Sequence, residues 1–377
     1  MEKKLTSPNP YQMLRRNDCR VRCRETSKIH VEFQIPNLDL CAAKAAAAAA
    51  EAAGFDGVVA LENAHGPIPP LTVAALETER VQLGTAVAIA FPRSPTIAAH
   101  FAWDLNLASG GRFYVGLGSQ VKGHNERRYG LEWTPPAPRL RDYIGAVRAV
   151  WRAWETSEKL DYHSDAYTLT LTTPIFPPKP LGLPPIPIAI SAVGPAMLKV
   201  AGETADGMRL HPFSTRRYLA EVSLPRIQKG LDAVGRRRDK IKVISGAFLA
   251  TGVDDEAVAK MREYVRFRIA FYCSTRAYWD VLRLHGLEEL GEKLRPYPAQ
   301  NRWDEMAALI PNDVLELFAI VGRHDELPKK IRAKYEGLAD RLSLFVPTDT
   351  APRPLAGVVS EVQRMGKVFA GYAQSWD

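Results

Sequence analysis

From Lys28 onward, short aliphatic and β-branched runs alternate with longer segments whose apolar residues recur every three or four positions. "KIHVEFQIP" (28–36) predicts a first strand ended by Pro36. Asn37 or Asp39 caps a helix that runs through the alanines to Gly54, a stop signal. "DGVVAL" predicts the second strand, "PPLTVAALETE" a short helix and "RVQLGTAVAIA" the third strand. "SPTIAAHFAWDLNLASGG" reads as a helix with Ser94 as cap, Pro95 in its first turn and two glycines at its end. "RFYVGL" predicts the fourth strand, and "RLRDYIGAVRAVWRAWE" an amphipathic helix. A proline-rich strap spans 174–187. "IPIAIS" and "GPAMLKVAGETA" predict the fifth strand and its helix, and "DGMRLH" the sixth strand, with a helix over 215–234. "IKVISGAFLA" predicts the seventh strand, and Asp254 starts the next helix. A helical insertion fills about 274–338, "RLSLFVP" is the eighth strand, and the tail from Ala356 is helical.

Eight alternations predict a parallel sheet closed into a (β/α)8 TIM barrel, with a helical insertion before the last strand. Connection lengths agree. Helix-to-strand turns are tight ("AGFDG", "SGGR", "ADG"), whereas strand-to-helix segments are longer (62–68, 91–94, 118–137, 211–214). Long loops therefore gather on one rim, where barrel enzymes carry their chemistry. A doubly wound open sheet needs a Gly-rich turn after its first strand, and "IPNLD" stands there instead. The organisation expected is a basic arm over 1–27 and one barrel domain over 28–377.

Composition narrows the classes. The chain has 377 residues, 46% hydrophobic and 24% charged, an ordinary globular balance. The net charge is +8, and five arginines fall within "RRNDCRVRCR" (15–24). No aromatic residues interleave with them, so a solvated arm is expected and no nucleic-acid platform. Of the four cysteines, Cys19 and Cys23 lack the partners of a zinc site and read as free thiols of a reducing compartment. No metal is expected. The polar, basic first 28 residues do not resemble a signal peptide, and "CAAKAAAAAAEAAG" is too short and too charged to span a bilayer. A cytoplasmic protein without a membrane partner is expected.

Five strand ends carry candidate chemistry. In "GRFYVGLGSQVKGHNERRYG" (111–130), Gly116 and Gly118 lack the third glycine of a dinucleotide fingerprint, because position 121 is Val. Bare backbone there serves close approach by a flat ligand or another chain segment, or a bulge at a barrel corner. Ser191, Ala192, Val193 and Gly194 precede Pro195 at a helix start, which makes either an anion pocket or an ordinary capped helix. Thr85, Ala86 and Val87 are small residues on the third strand, where they make tight layers or leave room for a ligand. "LENAHGP" (61–67) places Glu62, Asn63 and His65 on the rim, where a His beside a carboxylate suits acid–base work. His211 ends the sixth strand.

These segments, with "VQLGTAVAIAFPRSPTIAAH" and "AVGPAMLKVAGETADGMRLHPFS", resemble the luciferase-like superfamily of flavin- and deazaflavin-dependent barrel oxidoreductases, up to about residue 250. The combination is most similar to the branch that uses coenzyme F420. The resemblance implies a tricyclic ring across the barrel mouth, with a non-proline cis peptide at Ala86–Val87 behind it. It places the phosphate pocket on Ser191, Ala192, Val193 and Gly194, and the cofactor's other flank on Gly118, Ser119 and Gln120. The acidic and His positions fall on Glu62, Asn63 and His65. Bacterial luciferases have His where Asn63 stands here, and an Arg for the flavin phosphate where Ser119 stands. The sugar-phosphate dehydrogenase branch has a Glu near Val121 or Lys122. These departures weigh against an oxygen-activating FMN enzyme and against that sugar-phosphate substrate.

The function expected is hydride transfer between F420 and a small-molecule substrate, with His65 and then Glu62 as proton donor or acceptor. His124 and Glu126 on the fourth loop, together with His211, face the substrate. Lys122, Arg127 and Arg128 hold the coenzyme's acidic tail by charge. The alternatives are an FMN-dependent monooxygenase, a non-catalytic flavin- or deazaflavin-binding protein, and a nucleic-acid binder using the N-terminal arginines. The resemblance also implies a homodimer as a possible assembly.

Overall fold

Eight parallel strands close on themselves: β1 (His30–Gln34), β2 (Gly57–Ala60), β3 (Gln82–Thr85), β4 (Phe113–Gly118), β5 (Ile188–Ala192), β6 (Gly207–Leu210), β7 (Lys242–Gly252) and β8 (Arg341–Phe345). The computed structural model describes residues 27–36, 39–347 and 350–376. Most of the basic arm, with Cys19 and Cys23, lies outside the described residues, as does Asn37. Each strand pairs with the next in the chain, and β8 returns to β1 with Glu32 opposite Ser343. The β6–β7 pairing, Gly207 opposite Lys242, closes the gap that an open sheet would leave. Closure removes unpaired barrel edges.

Local signals act as the sequence indicates. Asp39 caps Leu40–Ala52 through the Cys41 amide, and Ser94 caps Pro95–Ala108 through the Ile97 amide. Helices surround the strands, and one hydrophobic cluster joins both layers. No helix among the described residues is long and apolar enough to cross a membrane.

Three elements differ from expectation. The third strand is broken: Gln82–Thr85 pairs with β2, and a separate Ala88–Ile89 strand pairs with the end of β4. The insertion is not wholly helical, because Ala319–Arg323 is a strand. Its partner is β7, eleven residues long, whose last four residues rise beyond the β8 pairing and need hydrogen-bond partners. An apolar run as short as "FAIV" has no periodicity that separates strand from helix. The tail helix stops at Val362.

Strand alternation brings a charged group into the barrel. Glu32 is fully buried and ion-paired to Arg209 at 2.5 Å and Arg341 at 3.4 Å. It also accepts from Tyr114 at 2.8 Å and from the Ser343 hydroxyl. Arg209 donates on to the Tyr114 hydroxyl at 2.7 Å and Ser343 at 2.8 Å. Burial alone would raise the Glu32 carboxyl, but Arg209 and Arg341 outweigh it and hold it at about 2. Burial pushes the Tyr114 phenol up to about 12, which keeps it a donor. Val59, Ala189 and Ile244 pack against Tyr114, with Ala86 at the edge of the group.

The depressed Glu32 carboxyl contributes stability above its ordinary value of 4.5, and that contribution fades as pH falls toward about 2. Arg209→Met leaves the carboxylate short of a buried partner. It should cost about 3–5 kcal/mol near neutral pH and flatten this acid limb, measured by urea unfolding across pH. An unchanged acid limb would show that Arg209 does not govern Glu32.

Candidate active site

Arg209 and Tyr114 point into the barrel, so residues two further along face the same way, nearer the C-terminal rim. His211 on the sixth strand's end and Gly116 and Gly118 on β4 therefore face the mouth. Of the meanings open to Gly116, the contact is with backbone. A side chain there would lie 2.0 Å from the Thr85 carbonyl oxygen. The Thr85 hydroxyl completes this junction, donating to the Gly116 carbonyl at 2.6 Å and accepting from its amide at 2.9 Å. The next peptide bond, Ala86–Val87, is cis. At Gly118 a Cβ would meet Val87 Cγ2 at 2.6 Å and Ser191 Oγ at 2.9 Å. Thus Thr85, Ala86, Val87, Gly118 and Ser191 come together on one side of the mouth.

Ala192 ends β5, and Val193 and Gly194 lead into the Pro195–Thr204 helix. Gly194 is the cap, no side chain caps the helix, and a Cβ at Gly194 would meet nothing within 4 Å. The first amides of a helix have no partner within it. Here they border open space at the mouth. Tyr218 steadies this turn by donating to the Val193 carbonyl at 3.2 Å.

The strand-2 loop is tied rather than loose. Glu62 accepts from Arg93 through both oxygens at 2.8 Å and from the Ile89 amide at 2.7 Å. Arg93 also donates to the Ile89 carbonyl at 2.8 Å. Glu62 therefore clamps the chain that follows the cis bond. Asn63 and His65 are exposed, and Arg128 reaches from the strand-4 loop to the Asn63 carbonyl at 2.8 Å.

A short helix, Lys122–Arg127, occupies that strand-4 loop, with His124 exposed on it. Sequence periodicity missed this helix because it spans less than two turns. Its base is Asn125, buried, which donates to the Ser119 carbonyl at 2.9 Å and the Val121 carbonyl at 3.2 Å. Gln120 adopts left-handed backbone, and its side chain accepts from the Val121 amide. Lys122 faces Glu126 at 3.6 Å on the surface.

His211 follows the end of the sixth strand, two strands along the barrel from Gly118. Its Nδ1 accepts from the Phe213 amide at 3.0 Å. Its ring lies 4.3 Å from Tyr272 and 4.7 Å from Tyr278. Burial, with Arg268 nearby, pushes its pKa down to about 3. Sequence reasoning missed Arg93, Tyr272, Tyr278 and Arg268, because none sits in a recognisable motif. A cleft of about 980 Å³ lies away from the mouth, against the insertion, and many of its charges pair with each other, such as Arg217 with Glu221 and Arg262 with Glu316. Among the described residues, no group of three His, Cys, Asp or Glu is placed to hold a metal ion.

Fold and site define the class: a (β/α)8 barrel with small, cis-kinked backbone and an uncapped helix start at its C-terminal mouth. The chain matches the family described as luciferase-like monooxygenase over residues 27–341 and belongs to it. A Mycobacterium tuberculosis protein described as uncharacterized is 41% identical over 315 residues, covering 84% of this chain and 92% of its own. Another protein of that organism carries the provisional name coenzyme F420-dependent oxidoreductase. It is 31% identical over 299 residues, 75% of this chain and 84% of its own. Among solved structures, the coenzyme F420-dependent tetrahydromethanopterin reductase of Methanopyrus kandleri superposes with a TM-score of 0.74 at 22% identity, covering 90% of this chain and 98% of that one. The relatives include oxidoreductases, and the structural neighbours include monooxygenases.

Glu62→Ala leaves the Ile89 amide without its acceptor and Arg93 without its carboxylate, and should cost about 1–3 kcal/mol in urea unfolding. Glu62→Gln keeps an acceptor for Ile89 and should cost less. Equal stability of all three chains would show that the clamp carries no energy.

Proposed function

We propose that this protein is an F420-dependent oxidoreductase acting on a small organic substrate. The observation that carries the reading is the open helix start at Gly194 sharing a mouth with side-chain-free Gly118. The similarity to a protein provisionally named as F420-dependent supports the choice of deazaflavin over FMN.

The residues fit a flat, phosphate-bearing ring. Ala86, Val87 and Gly118 form a low wall with little side-chain bulk, and Ser191 offers a hydroxyl beside it. The unpaired amides after Gly194 suit a phosphate oxygen, because the helix dipole adds partial positive charge there. When bound, the coenzyme supplies two-electron hydride chemistry. The chain's own residues then orient the reactants and manage protons. His65 is the proposed proton donor or acceptor, since it sits on the rim with its loop held by Glu62 and Arg128. Ser119 and Gln120, fixed by Asn125 and by the Val121 amide, line the flank toward the strand-4 loop. His124 on that loop and His211 at the end of the sixth strand complete the substrate side.

Fluorescence titration of the purified chain with F420 and with FMN tests this. F420 should saturate, and Gly194→Asp should weaken it by about tenfold or more, ~1.4 kcal/mol, with an unchanged melting temperature. His65→Ala should lower turnover while cofactor affinity holds. Tight FMN binding without F420 affinity would overturn the reading, and full F420 affinity in Gly194→Asp would move the phosphate elsewhere.

A further inference from the structure

The aromatic side of the mouth contains a cation that has no carboxylate. Arg268 is half-buried on the Asp255–Cys273 helix, one turn before Tyr272. It donates to the Tyr272 hydroxyl at 3.2 Å and lies 5.7 Å from that ring's centroid. Among the described residues no Asp or Glu comes within ion-pair distance of it. Its neighbours on the same helix differ: Arg262 pairs with Glu316 and Arg266 with Glu263. Leaving a guanidinium half-desolvated without a counter-charge is unfavourable, unless an anion from outside completes it.

The groups around Arg268 are neutral donors. With its Nδ1 accepting from the Phe213 amide, the uncharged imidazole of His211 carries its proton on Nε2. Burial, chiefly, holds the Tyr278 phenol well above its ordinary value, so its hydroxyl stays protonated. Tyr272 and Tyr278, partly buried, present ring faces and edges at this corner, and Phe213 and Phe248 pack against them in the core. One positive charge, neutral donors and flat apolar walls match a ligand with one negative charge on a flat body.

We propose that Arg268, with His211 and Tyr278, forms the substrate's recognition site, and that the substrate is a small aromatic or unsaturated carboxylate. A planar carboxylate suits the guanidinium fork, and its single charge balances the single cation. This rests on the mouth being the reaction site and deepens the proposed function by naming the substrate class. Arg268 acts as a specificity determinant, and no proton passes through it.

The probe is benzoate, with benzamide as its uncharged counterpart, measured by ligand-observed NMR on the full chain without cofactor. Benzoate should bind saturably, about tenfold or more tighter than benzamide. Arg268→Met should remove that preference while benzamide binding stays unchanged, and Arg268→Lys should restore part of it. Histidine substitution, His211→Phe, should weaken benzoate more than benzamide. Melting curves check that each variant is folded, and added salt should reduce the wild-type preference without any substitution. Equal binding of both probes, no saturable benzoate signal, or unchanged selectivity in Arg268→Met would overturn the proposal. Because no cofactor is present, these results are independent of the F420 titration. Failure here leaves the cofactor reading standing, and failure there leaves this site standing.

Discussion

The carbonyl oxygen of Thr85 occupies space that any side chain on Gly116 would need. That contact seats the end of the third strand into the fourth, and the Thr85 hydroxyl closes it with two hydrogen bonds. The chain then turns through the cis bond and resumes pairing at Ala88 and Ile89. Glu62 and Arg93 hold the far end by taking both the amide and the carbonyl of Ile89. A segment fastened at both ends presents Ala86 and Val87 to the mouth in one arrangement. A Cβ on Gly118 would run into both Val87 and the Ser191 hydroxyl, so the three converge on one side of the mouth.

Electrostatics divides the barrel into two zones. Deep inside, Glu32 gives both Arg209 and Arg341 a carboxylate partner, with Tyr114 and Ser343 bonded to it, which compensates part of the charge where water is absent. Such a network contributes little net stability but makes loss of one member costly. Near the mouth the compensation is incomplete. The helix start at Gly194 keeps free amides, and Arg268 keeps its charge without a carboxylate. Uncompensated positive character in a partly desolvated cleft is where anionic ligands gain most from binding.

Much of the architecture was legible in the residues. Alternating periodicity located all eight barrel strands, and the Asp39, Ser94 and Asp254 caps followed from local chemistry. The cis bond at Ala86–Val87 came through family resemblance, since nothing in two small residues demands it. Less visible was Ala319–Arg323, whose strand character comes from the overlong β7 beside it. The roles of glycines were half legible. Gly116 announced a close approach, but only the structure identified the neighbouring backbone as what approaches.

What the sequence determined by itself is the ring of strands, the rim on which the long loops lie and the small residues at the mouth. These depend on local spacing, and local spacing is written along the chain. Which charges meet was decided by the tertiary structure alone. Glu32 finds Arg209 and Arg341, Glu62 finds Arg93, and Arg268 finds only a phenol and neutral donors. No pattern along the chain encodes those pairings, because they arise only when closure brings distant strands and the Asp255–Cys273 helix within a few ångströms.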